Sequence, residues 1–140
     1  DPLTLKRCGE TDVHTVVDRC GWETFRAHER DALADVLGRS AHVIGLGGGT
    51  PTHPPSRELL DSAAASGRLR LVYLRTKPET LAGRMQSTPD RPSLTGADPF
   101  DEIAALFDAR DPLYLELAHA VVETDGLTLD ESVGLAAVSV

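Results

Sequence analysis

Short apolar runs alternate with amphipathic helical patterns along these 140 residues, which predicts an α/β fold: a parallel sheet with helices on both faces. Two observations carry that prediction. The run His42-Val43-Ile44-Gly45-Leu46 stops at Gly47-Gly48-Gly49, as a buried strand entering a glycine loop does. Two further apolar runs, Leu69 to Leu74 and Ala120 to Thr124, recur with helical segments between them. Ligands of such folds sit at the carboxyl ends of strands. Here those ends present Gly47-Gly48-Gly49, the loop after Leu74 and the turn Thr124-Asp125-Gly126.

The elements follow in order. Asp12 to Cys20 and Gly21 to Leu37 read as helices, the second with Trp22, Phe25, Leu33 and Leu37 on one apolar face. After the first strand and its glycines, Thr52 to Ser66 is helical, with Pro54 and Pro55 in its first turn and Gly67 as a stop. Pro78 to Gln86 is a helix opened by proline. Ser87 to Asp98 is rich in Pro, Gly, Asp, Ser and Thr without apolar period, so it reads as a loop long enough to be functional or mobile. Phe100 to Ala109 and Pro112 to His119 read as two helices, and Thr128 to Val140 as a closing one. No repeat or interdomain linker interrupts the chain, so one domain over 1–140 is expected.

Composition narrows the function. Fourteen Lys and Arg against 22 Asp and Glu leave a net charge of −8, which argues against a nucleic-acid or membrane-surface partner. No stretch approaches ~18 uninterrupted apolar residues and no basic-then-apolar leader opens the sequence, so neither a membrane span nor a secretory leader is expected. Cys8 and Cys20 are too few for a disulfide framework, which fits a cytoplasmic protein. The first residue is Asp1, not Met, as in a processed chain or part of a longer polypeptide.

Four motifs carry chemistry. Gly47-Gly48-Gly49 lets backbone approach a ligand, with N–H groups able to donate to hydroxyl or anionic oxygen. In Phe25-Arg26-x-x-Glu29 the charges share a helix face, either as a surface ion pair or as a carboxylate fixing the guanidinium for bidentate binding. Arg91-Pro92 lies in the long loop, where an arginine is either solvated or closes over a transferring phosphoryl group. Arg110-x-Pro112-Leu113-Tyr114 has a proline that pins the chain just after the arginine.

Phe25-Arg26-x-x-Glu29, Gly47-Gly48-Gly49, Arg91-Pro92-x-Leu94, Arg110-x-Pro112-Leu113-Tyr114 and Val122-x-Thr124-Asp125, in this order and at these distances, resemble shikimate kinase from Asp1 nearly to the C-terminus. The resemblance implies a three-layer nucleoside-monophosphate-kinase-like α/β fold and ATP- and Mg²⁺-dependent phosphorylation of the shikimate 3-hydroxyl. It implies that Arg26 and Arg110 clamp the substrate carboxylate, that Gly47, Gly48 and Gly49 meet the hydroxyls, and that Arg84 flanks adenine. It also implies that Arg91 reaches the phosphates from a mobile lid at about 87–98. Asp1 aligns, with one extra residue before Arg26, with the second aspartate of the family's Asp-x-Asp, the candidate base. The implied enzyme is a monomer when complete.

One departure bears on function. The family's phosphate-binding loop, the strand before it, the helix after it and the first aspartate of Asp-x-Asp have no counterpart in these 140 residues. These residues alone are therefore expected to bind ATP poorly and to turn over little, and a non-catalytic binding or regulatory domain is the alternative. Two smaller departures, Trp22 where the family more often carries an acidic residue and the proline-rich Thr50-Pro51-Thr52-His53 after the glycines, touch no matched ligand position. Gluconate kinase shares the architecture, but Phe25-Arg26 together with Arg110-x-Pro112-Leu113-Tyr114 favours shikimate.

Overall fold

The computed structural model describes residues 2–39, 43–86 and 99–139. The chain divides into two compact units, Asp1–Leu69 and Arg70–Val140.

The first unit is helical. Helix α1, Pro2–Cys8, lies against α2, Val13–Leu37. Asp12 caps α2, its carboxylate accepting the Thr15 N–H at 2.9 Å. The two helices expected over 12–37 are two segments of α2, broken where Gly21 takes φ 79° and ψ 164°. A side chain rarely adopts that backbone, which is why a glycine sits at the break. Beyond it, Phe25, Glu29, Ala32, Leu33 and Val36 recur at helical spacing and are buried. A single 3₁₀ turn, Thr50–Thr52, leads into α3, Pro54–Ala65, which buries Ser56, Leu60 and Ala63 and lies against α2.

The expected strand at 42–46 is not found. His42 lies outside the described residues, and 43–46 carry no regular structure, with Val43 fully exposed. A strand exists only when its backbone joins a ladder, and no described segment offers this run one.

The second unit holds the sheet. Strand β1, Val72–Arg75, pairs in parallel with β2, Ala120–Glu123, in a register running from Val72 opposite Ala120 to Arg75 opposite Glu123. Helix α4, Pro78–Gln86, follows β1, and α5, Pro99–Leu117, precedes β2 and lies against α4. Two helices were expected over 100–119, but α5 runs unbroken through Pro112. Proline removes one helical hydrogen bond at that turn, and the preceding residue, Asp111, is tied to β1 by the three hydrogen bonds described below. Helix α6, Leu129–Val138, begins at a capping box: Thr128 Oγ accepts the Glu131 N–H, and Glu131 accepts the Thr128 N–H at 2.8 Å. No described helix is long and apolar enough to cross a membrane.

Candidate functional site

In the first unit, Arg26 and the glycine turn come together. Arg26 sits one turn before Glu29 on α2, and its Nη1 donates to Glu29 Oε2 at 2.6 Å. The side chains are only 21% and 5% exposed, so this is not the solvated surface pair that the spacing alone allows. Phe25 stands four residues ahead of Glu29 and Trp22 four ahead of Arg26, and their rings flank the guanidinium, the centroids 5.5 and 5.3 Å from Cζ.

Gly49 lies at the far end of the guanidinium. A Cβ built on it would stand 2.5 Å from Cζ and 2.6 Å from Nη1 of Arg26, and closer still to Nη2. Only glycine leaves room here. Gly47 accepts the Thr50 N–H at 2.9 Å and Gly49 accepts both the Thr52 N–H and its hydroxyl, so the turn has a fixed shape. Glu29, Gly47 and Thr50 also line a cavity of about 90 Å³ shared with Leu33, Val36 and Leu46.

In the second unit, Arg84 reaches from α4 to donate to the Thr124 carbonyl at 3.1 Å, at the carboxyl end of β2. Beside it the Thr76 and Thr124 hydroxyls meet at 2.5 Å, and Asp125 accepts the Lys77 N–H. A hydrogen bond from Thr80, with Lys77 next, holds the Asp125 carboxyl below its ordinary range. Thr124-Asp125 and the residues after β1 thus share one sheet end, as expected from parallel strands. Arg110 is half-buried on α5. Asp1, Arg91 and the lid at 87–98 lie outside the described residues.

One cluster was not anticipated. Arg75 on β1 grips Asp111 on α5 with both ends of its fork, Nε to Oδ1 and Nη2 to Oδ2, each at 2.8 Å. Tyr73 donates to the same Oδ1 at 2.9 Å, and Arg75 Nη1 reaches Glu123 of β2 at 3.0 Å. The fork depresses the Asp111 pKa, while burial and then the bond to Asp111 raise that of Tyr73. Its members stand 36 and 38 positions apart, so no local pattern announces it. By contrast, the four-residue spacing of Trp22 and Arg26 is a local signal that places an aromatic ring beside a cation on one helix face.

Because Asp111 ionises more readily in the folded chain than in the unfolded one, its stabilisation is complete above the unfolded value of about 3.9 and is lost as pH falls through the lower folded value. Melting temperature should therefore fall more steeply below about pH 4.5 for the parent chain than for Asp111→Asn. Parallel acid limbs for the two would show that Asp111 carries no such linkage.

Among the described residues no three His, Cys, Asp or Glu gather where a metal ion could be held.

The sequence profile of the family described as shikimate kinase matches residues 1–136. The shikimate kinase of Nitratidesulfovibrio vulgaris is 38% identical over 128 residues, covering 89% of this chain and 70% of the relative. That of Cupriavidus pinatubonensis is 38% identical over 117 residues, 84% of this chain and 58% of the relative. Among solved structures, shikimate kinase from Acinetobacter baumannii in complex with shikimate superposes with a TM-score of 0.82 at 31% identity, over 99% of this chain and 74% of that one. The chain thus has the nucleoside-monophosphate-kinase-like α/β fold of these structures and belongs to the shikimate kinase family.

Proposed function

We propose that this chain serves the shikimate kinase reaction as part of the full-length protein, holding the shikimate carboxylate with Arg26 and Arg110 while the 3-hydroxyl accepts the γ-phosphate of ATP. The observation that carries this reading is the Arg26 guanidinium, fixed on one edge by Glu29 and set against the bare backbone of Gly49. A guanidinium held in this way can meet a carboxylate with two parallel hydrogen bonds and little further loss of side-chain freedom.

The remaining roles follow from the chemistry of phosphoryl transfer, which asks chiefly for positioning and charge neutralisation. The backbone of Gly47, Gly48 and Gly49 meets the ring hydroxyls. Asp1 orients the 3-hydroxyl and takes its proton. Arg91, carried on a lid at 87–98 of a single domain, covers the transferring group, and Arg84 flanks adenine. Bound ATP with Mg²⁺ supplies the phosphoryl group and part of the charge neutralisation. The net charge of −8 opposes self-association, which fits a monomer when the protein is complete, and its place is the cytoplasm. Nothing observed favours a non-catalytic role.

Calorimetric titration of the chain with shikimate and with gluconate tests the assignment. Shikimate should bind the more tightly. Tighter binding of gluconate, or binding of neither, overturns it.

A further inference from the structure

Trp22, the only tryptophan of the chain, does not behave as a core residue. It was expected to be buried with Phe25 and Leu33, yet 47% of it is exposed while those two are 2% and 5% exposed. Phe25 already closes the apolar core at this level, and Trp22 meets it edge-on at 5.9 Å. What the indole face does cover is the Arg26 guanidinium, at 5.3 Å. Gly21 opens the helical segment that carries both residues, so Trp22 stands in its first turn and Arg26 one turn on.

The guanidinium is therefore bounded by Glu29 at one edge, Gly49 at its end and an aromatic face beside it. A cation within about 6 Å of a ring centroid is drawn to the ring face, and an indole carries no carboxylate to occupy the five N–H donors. An indole thus restrains the group without competing for the donors that a carboxylate needs. An acidic side chain at position 22 would instead put a second negative charge beside the guanidinium and oppose an anionic ligand.

We propose that Trp22 is a positioning residue for carboxylate recognition, its indole face holding Arg26 in the orientation that presents the fork to the substrate. This rests on the reading of Arg26 as a carboxylate ligand, and the experiment separates the two. Shikimate affinity is measured by calorimetry for the parent chain, Trp22→Phe, Trp22→Leu and Arg26→Ala. Tryptophan emission is recorded for the parent chain and Arg26→Ala before and after shikimate is added.

Trp22→Leu should bind shikimate about two- to five-fold more weakly, and Trp22→Phe within about two-fold of the parent, because a smaller ring face still attracts the cation. Emission of the unliganded chain should change on Arg26→Ala, and shikimate should shift the emission of the parent only. Parent-like affinity in Trp22→Leu, or equal losses in the Leu and Phe variants, overturns the proposal while a large loss in Arg26→Ala leaves the carboxylate reading standing. Undiminished binding in Arg26→Ala overturns that reading and the proposal with it. Emission unaltered by Arg26→Ala overturns the stacking whether or not ligand binds.

Discussion

Phe25→Ala should lower the unfolding free energy of the chain by about 3–5 kcal/mol. The ring is 2% exposed, on the face of α2 that also buries Ala32, Leu33 and Val36. Burying such a side chain contributes about 1.5–3 kcal/mol, and the void left by its removal adds a further cost because the neighbours relax only partly. A loss of this size is a large part of the whole stability of a small domain, about 5–15 kcal/mol. Urea denaturation followed by circular dichroism measures it, and a loss below about 1 kcal/mol would mean that the ring does not close the core. The same substitution removes one of the two rings beside Arg26, so ligand affinity should fall even in the fraction that remains folded.

Gly49→Ala should leave stability nearly unchanged and weaken shikimate binding roughly ten- to a hundred-fold, the loss of one charge-assisted bidentate contact worth on the order of 1.5–3 kcal/mol. The backbone at Gly49 has φ −85° and ψ −15°, which alanine adopts without strain. The added methyl group instead lands on the Arg26 guanidinium, 2.5 Å from Cζ. A flexible side-chain end can move aside, so the protein keeps its fold while the fork leaves its place. Arg26→Ala should show a similar loss, and combining the two should be scarcely worse than Arg26→Ala alone, because both remove the same contact. Additive losses, or a Gly49→Ala chain that binds shikimate like the parent, would detach Arg26 from the carboxylate.

Elements signalled by neighbouring residues were legible before any coordinates. Pro54-Pro55 opens α3, Pro78 opens α4, and the boundary set between Cys20 and Gly21 falls at the break in α2, whereas the Thr128–Glu131 capping box went unread. What depends on distant residues was not. Pro2–Cys8 is a short helix with no acidic residue in its first turn, formed against α2, and nothing local announces it. The run at 43–46 is apolar enough for a strand, but apolarity says nothing of a ladder partner. The site divides in the same way. Arg26, Glu29 and the glycines stand out by spacing and take their roles from the resemblance, whereas the closeness of Gly49 to the guanidinium is a contact across 23 positions that only folding creates. Trp22 was assigned to the core because its spacing with Phe25 and Leu33 is that of a helix face, and spacing does not tell the middle of a face from its margin.

The grip of Arg75 on Asp111 has a consequence for Arg110, the residue immediately before it. Successive helical side chains point about 100° apart around the axis. A helix keyed to a strand at one position therefore cannot roll, and the azimuth of the preceding side chain is set with it. Asp111 works as an indexing pin that sets the direction in which the Arg110 side chain leaves the helix.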